Sequence, residues 1–99
     1  MARFDVYANP GSAGYVLDVQ ADLLAALNTR IVVPLMPAHA APQPAGRLNP
    51  RFQIGDAPHL MVTQFMAAIP RALLGQPVTN LARHDAEILA ALDLVLVGF

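Results

Sequence analysis

The chain has 99 residues, 6 Lys+Arg against 7 Asp+Glu, and a formal net charge of −1. All six basic residues are arginine, and six scattered arginines lack the positive footprint of a nucleic-acid binder. The absence of cysteine excludes disulfides, thiolate metal sites and thiol nucleophiles. A chain of this length makes a single domain, 1–99, that buries roughly 60–65% of its unfolded surface. An apolar share of 56% with only 13% charged residues is high for so small a chain, and points to surface covered by a partner or a second copy.

From Arg3 to Tyr7 apolar and polar residues alternate, with Phe4, Val6 and Ala8 on one face, which predicts a strand. The first residues form no apolar run of signal-peptide length, so the expected compartment is the cytoplasm, with no membrane association. Residues 9–14 (NPGSAG) are a turn, and Tyr15 to Val19 complete a β-hairpin. Ala21 to Leu27 has the propensity for a helical turn. Ile31 to Met36 reads as a buried strand, in which Pro34 predicts an edge or a bulge. Residues 37–50, with four prolines among alanines, read as an exposed loop without a core face. Strands are expected over 51–54 and 59–63, separated by a Gly55-Asp56 turn, and a short one over 72–74. Leu81, Ile88, Leu89, Leu92 and Leu96 then recur at helical spacing. Thr79 or Asn80 is the expected N-cap and Gly98 the stop. The fold class is therefore mainly β with one C-terminal α-helix (α+β).

Side chains able to carry chemistry are sparse. His39, His59 and His84 lie in separate contexts without metal-ligand spacing, so no metal or cofactor is expected. Ser12 is the only serine and sits in a turn, and no phosphate-binding glycine loop is present. Arg30 or Arg51 with His59 and Asp18 make a nuclease set only on paper, and the expectation is that the chain is not an enzyme. The chain end is more informative. Val95, Val97 and Phe99 fall off the inward stripe, which marks a dimer seam or a docking tip.

Four segments occur in an order that resembles a known family: LDVQADL over 17–23, RIVVPL over 30–35, IGD over 54–56 and LDL over 92–94. With Phe4 to Tyr7 and the Gly98-Phe99 end, they are similar to the CcdB toxins of toxin–antitoxin systems. That resemblance implies a CcdB/MazF-like, SH3-like barrel with a small appended sheet. It also implies a cytoplasmic homodimer that binds the DNA gyrase A subunit and traps the gyrase–DNA cleavage complex without catalysing a reaction or binding DNA directly. A CcdA-like antitoxin would neutralise it. Carried over by position, the gyrase-binding residues are Leu23, Leu24, Asp93, Leu96, Val97, Gly98 and Phe99. The chain departs from the family pattern at Val97, where several toxins carry Trp, and at Asp93, where Asn is usual. Two alternatives stand beside this reading: a MazF/Kid-like endoribonuclease toxin, and a non-toxic remnant that keeps only antitoxin binding. For 37–50, an antitoxin path and a solvated connector are equally compatible with the sequence.

Overall fold

The computed structural model describes residues 2–98. Seven strands, β1 (Asp5–Ala8), β2 (Tyr15–Asp18), β3 (Thr29–Pro37), β4 (Arg51–Ile54), β5 (Ala57–Met61), β6 (Ala67–Pro70) and β7 (Thr79–Asn80), precede helix α1 (Asp85–Leu96). Pairing is antiparallel in the order β4-β5-β3-β2-β1-β7, with β6 also on β3, and the sheet curls into a half-barrel closed by α1. The β4–β5 hairpin pairs only with the far end of β3, giving a small three-stranded extension.

The β1–β2 turn is set by Asn9, whose Oδ1 accepts the Gly11 N–H at 2.9 Å. It ends at Gly14 with φ +95°, where a Cβ would lie 2.7 Å from the Leu35 carbonyl oxygen. Only glycine fits there without moving β3. Gly55 (φ +61°) and Asp56 join β4 to β5 as a two-residue hairpin loop, as expected.

Pro34 lies on neither an edge nor a bulge: β3 is paired on both sides. On one side, however, its partner changes from β6 (through Val32) to β5 (from Leu35), and Pro34 falls in that gap. Its carbonyl accepts the Val62 N–H at 2.9 Å on that same side. A residue's N and O face one way in an extended strand, so the donor that proline lacks falls where no ladder partner waits.

Both faces of the sheet are covered. On the helix side Val6, Leu17, Val33, Leu35, Phe52 and Met61 pack with Leu81, Ile88, Ala91 and Leu92. On the other side Tyr7, Val16 and Val32 pack against Ile69 and Leu74. The one-face assignment for the first strand is thereby corrected: Val6 and Tyr7 are both buried, on opposite faces, and Ala8 is exposed.

Two further expectations change. Residues 72–74 form no strand; a 3-10 turn at Arg71–Leu73 stands there, and the strand is β6 just before it. Its Ala-Ala-Ile-Pro sequence carries almost no strand signal, and β3 supplies the pairing. The helix begins at Asp85, not after Thr79 or Asn80. Those two residues pair with β1, and Asn80 Oδ1 accepts the Ala82 N–H at 2.7 Å at the start of a 3-10 turn, Ala82–His84. Asp85 and Glu87 still occupy the first helical turn, where the positive end of the helix dipole favours acids.

Candidate functional site

Beneath the sheet's second face lies a buried ion pair. Asp18 and Arg30 are both fully inaccessible, with Arg30 Nε 2.8 Å and Nη2 2.6 Å from Asp18 Oδ2. Asp18 Oδ1 accepts the Gln20 backbone N–H at 3.0 Å. Burial pushes the Asp18 carboxyl up from its ordinary value, against the opposing pull of Arg30 and the Gln20 amide. Arg30 Nη1 has no hydrogen-bond partner among the described residues. Nearby, Tyr7 Oη donates to Asp5 Oδ2 at 3.4 Å, and burial, then the Asp5 charge, pushes the Tyr7 hydroxyl up to about 12.

After Asp18 the chain leaves the sheet and makes a 3-10 turn at Asp22–Leu24 that buries none of its residues. Asp22 Oδ1 accepts the Arg3 N–H at 2.9 Å, and the Gln20 side-chain amide donates to the Leu24 carbonyl at 2.9 Å. Leu23 is 94% exposed and Leu24 47%. Across from this turn α1 ends. The Asp93 carbonyl accepts from both Val97 and Gly98, and Gly98 turns with φ +96°, the left-handed stop that the sequence indicates. Leu96 and Val97 are 69% and 60% exposed. The assignment of Leu96 to the inward stripe is therefore corrected: Ile88, Ala91 and Leu92 are buried, but Leu96, in the last turn of the helix, is exposed.

Between the turn and the helix end is a cleft of about 310 Å³ whose walls include Arg3, Gln20, Leu24, Met66, Asp93 and Leu96. Three residues singled out in the sequence, Leu24, Asp93 and Leu96, are thus brought together from positions about seventy residues apart. Leu23, Val97 and Gly98 are exposed residues adjoining those walls in the chain. Phe99 lies outside the described residues. The last turn holds Asp93 and no basic side chain, so this rim is electronegative, while Arg3 puts a positive charge on the facing wall.

Arg3, Gln20 and Met66 were not anticipated. Gln20 stands inside the LDVQADL segment, but spacing alone does not say that a buried amide would bridge two elements. Arg3 owes its place to Phe4, which holds φ +70° while buried in the core, a conformation no alternation pattern reveals.

The paper nuclease set is dispersed. Asp18 and Arg30 are sealed in their pair, His59 is buried with its ring 5.1 Å from that of Tyr15, and Arg51 is exposed on β4. His39 is exposed, and His84 stands over Phe52 with Nδ1 3.4 Å from Glu87. Among the described residues no three His, Asp or Glu side chains gather as a metal site, and no helix is long and apolar enough to cross a membrane. Residues 37–50 are largely exposed, but Asn49 is buried, with its amide donating to the Met61 carbonyl at 3.0 Å.

The fold is a curled β half-barrel closed by one helix, with apolar side chains displayed at the helix end. The chain matches the CcdB protein family over residues 3–98, and it belongs to that family. It is accordingly a toxin of the toxin–antitoxin class. Among solved structures it is similar to an endoribonuclease in complex with its cognate antitoxin from Mycobacterial species, with a TM-score of 0.77 at 16% identity, covering 97% of this chain and 94% of that one. This neighbour overturns the expectation that the chain is not an enzyme: the same fold, nearly end to end, is that of an endoribonuclease.

Proposed function

We propose that the protein is a toxin that binds the DNA gyrase A subunit through its helix end and the Leu23–Leu24 turn, and traps gyrase on cleaved DNA. The observation that carries this reading is the convergence of two exposed apolar segments, distant in sequence, on the walls of one cleft. Neither segment contributes to the core, and apolar groups held in place on a short turn and a helix end lose little entropy when they dock. Leu23, Leu24, Asp93, Leu96, Val97, Gly98 and Phe99 form the contact, with Arg3 and Met66 added from the cleft walls.

A homodimer presents two such tips related by a two-fold axis. Exposed Phe65, Leu73 and Val78, away from the tip in sequence, support a further covered surface. A cognate antitoxin is the neutralising partner, a reading supported by the antitoxin-bound state of the structural neighbour. Incubating the protein with gyrase, ATP and supercoiled plasmid tests the proposal: linear, protein-linked DNA accumulates if it holds.

One observation favours a second reading. Because the neighbour is an endoribonuclease, RNA cleavage by this fold is a direct rival. Structured and unstructured RNAs incubated with the protein decide it: defined cleavage products in place of trapped gyrase give the second reading precedence.

A further inference from the structure

The turn that displays Leu23 is tied down in an unusual way. In an antiparallel ladder Val19 and Ile31 would exchange two backbone hydrogen bonds. Only one is a backbone bond here, from the Val19 N–H to the Ile31 carbonyl at 3.0 Å. The return bond is replaced at both ends. The Ile31 N–H donates instead to Gln20 Oε1 at 3.0 Å, and the Val19 carbonyl accepts Arg3 Nε at 3.1 Å. Gln20 is buried, and two more of its polar groups are engaged: Nε2 donates to the Leu24 carbonyl, and its backbone N–H donates to Asp18 of the buried ion pair. One side chain therefore stands in for a strand residue, releases the chain from the sheet, and fastens the released turn to β3. Arg3 and Arg71 add hydrogen bonds to Asp22 and Ala25, so a segment with no buried residue is held from three sides.

A turn with no buried residue gains little packing energy from being rigid, so the anchoring matters chiefly for what the turn displays. We propose that Gln20 is a positioning residue, whose side-chain amide replaces a ladder bond and locks the Leu23–Leu24 turn in the conformation that docks. The proposal rests on the reading of the tip as the gyrase A contact. Where the docking conformation is only a fraction of the population, apparent affinity falls by that fraction.

The test uses the Gln20→Met variant, close in volume but without donor or acceptor, beside Leu23→Ser in which Gln20 is intact. The proposal expects Gln20→Met to remain folded and to bind a gyrase A fragment about tenfold more weakly, or worse, equivalent to about 1.4 kcal/mol. The loss falls mainly on the association rate, and exchange of the Leu24 and Ala25 amide hydrogens speeds up in parallel. Folded Gln20→Met that binds within about twofold of the parent overturns the proposal. If Leu23→Ser also binds normally, it is the reading of the tip that fails; if Leu23→Ser loses binding while Gln20→Met keeps it, only the positioning role is removed. Should Gln20→Met not fold, hydrogen exchange in the unmodified protein decides. Protection of Leu24 and Ala25 supports the lock, and exchange at free-peptide rates overturns it.

Discussion

The body of helix α1 and its final turn are built from the same residue types and meet opposite fates. Ile88, Ala91 and Leu92 are buried against Leu17, Val33 and Phe52, whereas Val95, Leu96 and Val97, one turn later, are exposed. The 3-10 turn Asp22–Leu24 belongs with the second group, since its leucines face solvent beside the helix end. Hydrophobic side chains in the helix body hold the fold; those at the tip are free to act on something else. If that division is right, substitutions in the two regions separate stability from binding, and each of the following results can break it.

The largest effect on stability is expected beneath the sheet. Arg30→Ala leaves the Asp18 carboxylate buried without its partner and should cost about 3–5 kcal/mol in urea unfolding. A loss under 1 kcal/mol would mean that the pair is not sealed. Ile88→Ala in the helix body removes buried methylenes and should cost about 2–5 kcal/mol by the same measurement. Leu23→Ser and Leu96→Ser should each change stability by no more than about 0.5 kcal/mol while abolishing gyrase binding. A tip variant as unstable as Ile88→Ala would erase the division.

The pH dependence sharpens it further. The Tyr7 hydroxyl, pushed up to about 12 mainly by burial, keeps its proton in the folded state after the unfolded chain has lost it at 10.0. Its contribution is complete below pH 10 and is lost as pH rises toward 12, a fall of about 2–3 kcal/mol. Denaturant titrations across that range should show the fall, and Tyr7→Phe should remove it. The smallest expected effect is a gain. Ala21 already has φ −59°, and its N–H makes no backbone hydrogen bond among the described residues, so Ala21→Pro should stabilise by about 0.4–1 kcal/mol without weakening binding.

Much of this was legible in the sequence where local chemistry and tertiary structure agree. The NPGSAG turn, the Gly55-Asp56 hairpin, β-branched β3 and the Gly98 helix stop each carry their own physical signal. What escaped was decided by partners. The Ala-Ala-Ile-Pro strand exists because β3 supplies its pairing partner, Asn80 spends its side chain on a 3-10 turn before the helix, and Leu96 is exposed one turn beyond buried Leu92. The candidate site divides the same way. Leu24, Asp93 and Leu96 follow by position from the family resemblance, while Arg3 and Gln20 owe their roles to a single exchanged ladder bond that no spacing rule reports.

The central claim is that the exposed tip, and not the sheet or the helix body, is the surface that meets gyrase. It is tested most directly by a cleavage-complex titration of the parent protein beside the doubly substituted Leu23→Ser/Leu96→Ser protein. Linear, protein-linked DNA that accumulates with the parent and is absent with the folded double variant is the predicted result. Equal trapping by both proteins, or RNA cleavage with no trapping by either, would contradict it.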